Sequence, residues 1–232
     1  MTFRTETLAD GIVCILGDCL EVLPTLGRFD AVVTDPPYGI GKDGQKRTTG
    51  GHGGRKAHDF KGWDKERPAR DLFELLLACS DQQVIWGGNY FADMLPATGK
   101  WLVWDKGQRI NQSDGELAYT SQDGALRIFT QNRVALLLEG AEHPTQKPLE
   151  VMRWSLLQVP SARHVCDPFM GSGSTGVAAA QLGRKFTGIE IDPGYFDIAC
   201  RRIEAALKQP DLSVEPPKPA HQLSILDVEP AA

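Results

Sequence analysis

The run Asp35-Pro36-Pro37-Tyr38 places a carboxylate, two rigid prolines and an aromatic ring in immediate succession. An amine attached to a purine or pyrimidine is a poor nucleophile, because its lone pair is delocalised into the ring. A carboxylate and a backbone carbonyl that both accept from that amine pull its nitrogen toward sp³ geometry and free the lone pair. An aromatic side chain held beside them can stack on a base swung out of its duplex. The same tetrapeptide also reads as a plain strand terminator, since two successive prolines cannot donate to a sheet ladder.

A second constellation, Asp167-Pro168-Phe169-Met170-Gly171-Ser172-Gly173-Ser174-Thr175-Gly176, sits where a strand gives way to a helix. Glycines there let the backbone approach a ligand closely, and the first N–H groups of the helix favour an anionic group such as a carboxylate. Gly171, Gly173 and Gly176 nearly satisfy the dinucleotide spacing G-x-G-x-x-G. Further on, Glu190 in Ile189-Glu190-Ile191-Asp192 closes the next strand with an acid that suits a ribose diol. That acid and the leading Asp-Pro-Phe favour a nucleoside with a charged amino-acid tail over a dinucleotide. Tight helix–strand packing is the bland alternative.

Other chemistries find little support. The five cysteines (Cys14, Cys19, Cys79, Cys166, Cys200) are scattered and form no C-x-x-C pair, which reads as buried filler in a reducing, cytoplasmic setting. His52 and His58 lack partners at ligand spacing, so no metal site is expected. Trp86, Trp101 and Trp104 read as core. No apolar run approaches a membrane span, and no secretory leader is expected.

The elements that must position these residues alternate along the chain. Strands are expected at 12–16, 30–34, 83–86, 101–104, 165–166 and 186–191, and helices at 20–26, 70–80, 90–95, 146–159, 175–182 and 195–207. Residues 116–138 suggest two or three further strands, adding an antiparallel edge. Alternating strands and helices predict an open, mostly parallel sheet covered on both faces. One domain is expected over 1–208, with 41% hydrophobic and 24% charged residues sufficing for an ordinary core. Residues 209–232 hold five of the fifteen prolines and read as a disordered tail.

Net charge is −5, yet residues 42–70 carry nine Lys/Arg against four acids. A basic, glycine-rich insertion on an acidic body can attract a polyanion whatever the overall charge. The insertion, residues 39–68, follows Tyr38 directly, and its glycines suit a mobile loop. Lys46, Arg47, Arg55 and Lys56 are its candidate DNA contacts.

Taken together, these motifs resemble the DNA amino-methyltransferase family, of the N6-adenine/N4-cytosine type. The tetrad is similar to its (Asp/Asn/Ser)-Pro-Pro-(Tyr/Phe/Trp) hallmark, and Asp167–Gly173 resembles its cofactor motif. His143-Pro144-Thr145-Gln146-Lys147-Pro148 and Gly17-Asp18 match two more of its segments. The tetrad precedes the cofactor motif, as in the β group of the family. The resemblance spans about residues 12–205 and implies a Rossmann-like, circularly permuted fold with a mixed seven-stranded sheet. It implies S-adenosylmethionine as methyl donor, bound by Asp18, Asp35, His143, Thr145, Lys147, Asp167, Phe169, Gly171, Gly173 and Glu190. Asp35, Pro36 and Tyr38 would act on the target base, flipped from double-stranded DNA and attacking the methyl directly in line.

Asp at the first tetrad position favours N6 of adenine over N4 of cytosine by resemblance. A fold that binds nucleic acid or cofactor without catalysis is the rival outside enzymes. Only residues 105–142 are available for a recognition region, which implies a short or relaxed target sequence. A homodimer and a cognate restriction enzyme are partners consistent with the resemblance; a membrane is not.

Overall fold

Side chains alternate across a strand, and the apolar strands of this chain use both faces. Ala31, Val33, Val84 and Trp86 turn toward one core, whereas Val32 and Ile85 turn toward another. The sheet is therefore buried on both sides. The computed structural model describes residues 2–42, 62, 64–107, 113–132 and 146–209. Lys46, Arg47, Arg55 and Lys56, together with His143 and Thr145, lie outside the described residues, as does the proline-rich tail beyond Gln209.

The chain runs β1 (Arg4–Ala9), β2 (Ile12–Leu16), α1 (Cys19–Val22), β3 (Phe29–Thr34), α2 (Arg70–Ala78), β4 (Ser80–Trp86), β5 (Trp101–Asp105), β6 (Gly115–Thr120) and β7 (Arg127–Thr130). It continues with α3 (Leu149–Leu157), β8 (His164–Asp167), α4 (Ser174–Gln181), β9 (Lys185–Glu190) and α5 (Pro193–Lys208). Among the described residues the strands form one sheet in the order β1-β2-β9-β8-β3-β4-β6-β5-β7. Helices α3, α4 and α5 supply Val151, Met152, Leu156, Val177, Ala178, Phe196 and Ile203 to one core. Helices α1 and α2 supply Val22, Leu72, Phe73 and Leu76 to the other.

The mixed α/β sheet agrees with the sequence expectation, but among the described residues it has nine strands where the resemblance implies seven. Strand β1, Arg-Thr-Glu-Thr-Leu-Ala, pairs antiparallel with β2 on the outer edge and has no apolar run to announce it. Strand β6 is antiparallel as expected but lies inside the sheet, between β4 and β5. The edge beyond it is β7, which pairs parallel with β5. The helix expected at 90–95 is reduced to a 3-10 turn over Gly88–Tyr90 and one further turn closed by Leu95 N–H on the Phe91 carbonyl. Asp93 in that segment serves another purpose, its carboxylate taken by Arg67 at 2.8 Å and its carbonyl by Arg70 at 2.6 Å.

The strand order places the site. From β8 the chain crosses to β9 on one side, and from β3 to β4 on the other. In an open α/β sheet, the carboxyl ends of the two strands flanking such a reversal border the crevice where ligands bind. Here those strands end at Asp167 and at Thr34, directly before Asp35.

Small residues let the helices close over this sheet. A β-carbon on Gly176 of α4 would come within 2.4 Å of Ile203 and 2.7 Å of Phe186, so α4 seats only without a side chain there. Gly176→Leu should therefore lower the unfolding free energy by about 1–3 kcal/mol through overpacking. Urea denaturation checks it, and an unmoved midpoint would show that α4 does not seat against α5 and β9 as described.

Candidate functional site

Two prolines end β3 and turn the chain so that Asp35 and Tyr38 meet. The Tyr38 hydroxyl donates to Asp35 Oδ1, and the Lys147 ammonium donates to Asp35 Oδ2 at 2.6 Å and to the Tyr38 oxygen at 2.9 Å. Lys147 also meets Glu116 Oε2 at 2.9 Å, while Lys106 meets Glu116 Oε1 at 2.5 Å. The two lysine side chains are 7% and 3% exposed, so an alternating row of charges is buried here. Burial pushes the Asp35 carboxyl above the usual carboxylate range, with Lys147 pulling the other way. For Glu116 burial acts in the same upward sense, but the ammonium groups of Lys147 and Lys106 together hold it at about 2. Burial, reinforced by Asp35, raises the Tyr38 phenol well above its ordinary value.

The Tyr38 ring lies in an aromatic wall. It stacks on Tyr90 with centroids 4.8 Å apart and planes within 16°, and meets Phe91 edge-on at 6.1 Å. Gly87 has φ +70°, and a β-carbon on it would fall 2.1 Å from the Tyr38 ring, so both its conformation and the close approach require glycine.

Across the crevice, Asp167 ends β8 with only 2% of its surface exposed. Its Oδ1 accepts from the Thr34 hydroxyl at 2.7 Å and the Phe169 N–H at 3.1 Å, and its Oδ2 accepts from the Thr175 hydroxyl. Asp167 thus ties β3 to the glycine turn from beneath, and burial raises its carboxyl to about 6. Gly173, at φ +82°, opens α4 against Ala199 of α5. Glu190 accepts the Gly171 N–H at 2.9 Å and the Asp192 N–H at 2.8 Å. Burial raises Glu190 to about 7, over the opposing pull of those two N–H donors. Its carbonyl takes the Gly17 N–H at 2.9 Å, which brings Asp18, the cap of α1, to the same rim. Ile191, directly after Glu190, is 63% exposed.

The tetrad, the glycine turn and the acid at Glu190 therefore converge on one edge of the sheet. Lys147, which the resemblance implies to be among the cofactor-binding residues, lies on Asp35 and Glu116. Its neighbour Gln146 does reach the turn, accepting from Ser172 at 3.0 Å. Pro36 is buried and Phe169 half-buried, packed against the second core. Trp86 and Trp104 are core, as expected. Sequence reasoning missed Glu116, Lys106, Thr34 and Thr175. Glu116 did leave a trace, an acid within the otherwise neutral strand Gly-Glu-Leu-Ala-Tyr-Thr. Among the described residues, no group of three or more His, Cys, Asp or Glu could hold a metal ion, and no helix is long and apolar enough to cross a membrane.

Residues 97–201 match the family model described as DNA methylase, of the N6/N4 type. Over that segment the chain resembles the DNA amino-methyltransferase family. The chain is also 46% identical over 65 residues to the type II methyltransferase M2.DpnII of Streptococcus pneumoniae, 28% of this chain and 24% of that protein. It is 46% identical over 63 residues to M2.LlaDCHI of Lactococcus lactis subsp. cremoris, 27% and 23% of the respective lengths. The chain thus spans about a quarter of the curated relatives it matches. Among solved structures, the M1.HpyAVI–SAM complex shares the fold at a TM-score of 0.54 and 21% identity, over 82% of this chain and 98% of that one. The cytosine-N4-specific PvuII DNA methyltransferase does so at 0.53 and 15%, over 82% and 85%. The matched segment begins before β5 and so includes the glycine turn and Glu190, while the tetrad precedes it in the chain.

The raised carboxyl of Glu190 has a consequence for stability. A carboxyl whose folded value exceeds its unfolded one stabilises the fold at low pH, and that contribution is lost as pH rises from about 4 to about 7. Glu190→Gln cannot ionise, so its stability relative to the parent should climb across this interval. Thermal melts of both proteins at several pH values check this; parallel profiles would show that Glu190 is not held protonated by its surroundings.

Proposed function

We propose that this chain transfers a methyl group from S-adenosylmethionine to the N6 amine of adenine in double-stranded DNA. The observation that carries this is the juxtaposition, across the reversal of the sheet, of the Asp35–Tyr38 pair and the turn formed by Gly171, Gly173 and Glu190. One half has the chemistry to activate an amine, and the other to hold a nucleoside with a charged tail. The Thr34–Asp167 hydrogen bond fixes the distance between them.

The donor set fits S-adenosylmethionine. Glu190 keeps lone pairs for a ribose diol after accepting its two N–H groups, and exposed Ile191 offers an apolar surface to a flat ring. The start of α4 favours the carboxylate of the amino-acid tail. Asp18 and Phe169 would line the rim, with Asp167 shaping the turn rather than touching the ligand. Bound there, S-adenosylmethionine supplies a methyl group on a positively charged sulfur, a good leaving group. Asp35 would accept an N–H of the amine on Oδ1, the oxygen that Tyr38 now occupies, while the Lys147 ammonium on Oδ2 favours the ionised carboxylate. Tyr38 and Tyr90 would stack on the extrahelical base. Once the reactants are aligned, proximity supplies most of the acceleration.

The choice of adenine rests on Asp35 at the first tetrad position. Incubation with plasmid DNA and S-adenosylmethionine, followed by nucleoside mass spectrometry, should yield N6-methyladenine. Asp35→Ala should reduce that yield by at least about a hundredfold while cofactor binding measured by calorimetry persists. N4-methylcytosine as the sole product would reverse the assignment of the base, and no modified nucleoside would point to a binding fold without catalysis.

The basic insertion supports duplex DNA as the substrate on charge alone. Its two ends are joined beside Tyr38, where Asp64 accepts the N–H groups of Gly39 at 2.8 Å and Lys42 at 2.7 Å. Alanine at Lys46, Arg47, Arg55 and Lys56 should flatten the log–log salt dependence of DNA binding by about two to four. Cofactor affinity should not change. An unaltered slope would exclude these four residues from the phosphate contacts.

A further inference from the structure

Glu116 and Lys106 have no part in the function so far, yet they occupy the most heavily charged part of the interior. Glu116 sits on β6 opposite Trp104 of β5, and each of its oxygens meets a different lysine. Lys106 follows β5, its ammonium 5.0 Å from the centre of the Trp104 ring. An ammonium buried so deeply is costly unless paired, and Glu116 meets both lysines at once. Lys147 has three N–H donors and three close acceptors: Asp35, Tyr38 and Glu116. Its direction toward Asp35 is therefore set from the Glu116 side.

We propose that Glu116, itself held by Lys106, is a positioning residue for methyl transfer: it fixes the Lys147 ammonium on Oδ2 of Asp35, so that Oδ1 alone is presented to the amine of the target base. The inference rests on Asp35 acting as the amine acceptor. Without this anchor the Lys147 side chain can swing across the carboxylate and compete for both oxygens. The same arrangement sets the charge on Asp35. Lys147 and Tyr38 touch it, Glu116 and Lys106 stand behind Lys147, Tyr90 lies on Tyr38, and Asp167 faces it from the end of β8. Removing the Glu116 charge gives all of Lys147 to Asp35, which then ionises at lower pH. Removing the Lys106 charge lets Glu116 claim more of Lys147, and Asp35 then ionises at higher pH.

The test uses the full chain with Glu116→Gln, Glu116→Asp and Lys106→Met. The Asp35 carboxyl is followed by carbon NMR, assigned with Asp35→Asn, and methyl transfer to DNA is measured in parallel. Glu116→Gln should lower the Asp35 midpoint by about one pH unit, and Lys106→Met should raise it. Glu116→Gln should also cut kcat by at least about tenfold while KM for S-adenosylmethionine stays within about twofold. Glu116→Asp should restore the midpoint but not the full rate, because the charge returns on a shorter arm. Circular dichroism establishes that each variant folds; if Glu116→Gln does not, the Lys106→Met midpoint decides the matter. A folded Glu116→Gln with the parental midpoint and kcat would overturn the inference, as would movement of both midpoints in one direction. A parent protein that transferred no methyl would instead defeat the proposed function, while opposite midpoint movements would still uphold the hold of Glu116 on Asp35.

Discussion

An ammonium group inside a protein has to be met by negative charge, and Lys147 meets it on two sides. Asp35 comes from the end of β3, Glu116 from β6, and Lys147 from the approach to α3. Leaving any one of the three unpaired would cost about 3–5 kcal/mol, a large share of what a domain of this size has to spare. The pairing therefore draws three distant parts of the chain to one point. It also explains why Asp35 can carry charge in surroundings that by themselves favour its neutral form. The aromatic wall of Tyr38, Tyr90 and Phe91 borders this point.

The glycine turn is secured by a different means. Thr34 and Thr175 bring hydroxyl groups to Asp167 from β3 and α4, and the Phe169 N–H adds a third donor. On this side of the crevice the interactions are neutral donors on one carboxyl, and on the other they are full charges. The two halves meet through Thr34, which ends the same strand that leads into the tetrad, and through the neighbouring Gln146 and Lys147.

Much of this was legible in the sequence, for identifiable reasons. Strands β2, β3 and β9 end at Leu16, Thr34 and Glu190, within a residue of where the sequence places their ends, so the acids at those ends could be read directly. Strand β1 escaped because Thr5, Glu6 and Thr7 interrupt any apolar run, with nothing to distinguish them from a polar leader. The interior place of β6 could not be read either, since neighbours in the sheet are not neighbours in the chain. The partners of Lys147 could not be read for a related reason. Its motif adjoins the glycine turn through Gln146, and only the folded chain shows that successive side chains point to opposite halves of the site.

Asp64 has an effect that reaches beyond the hydrogen bonds it makes. By gathering the backbone of Gly39, Gly41 and Lys42 it closes the chain on itself just past the tetrad, and Arg67 secures the return on Asp93. Once the ends are fastened, the entropy of closing the loop depends only weakly on what lies between them, about 0.6 kcal/mol for each doubling of its length. Segments of quite different size and composition could thus be exchanged at this junction without moving Asp35 or Tyr38. The fold separates a part whose arrangement the hydrogen bonds of Asp64 hold in place from a part whose length and composition that arrangement leaves free.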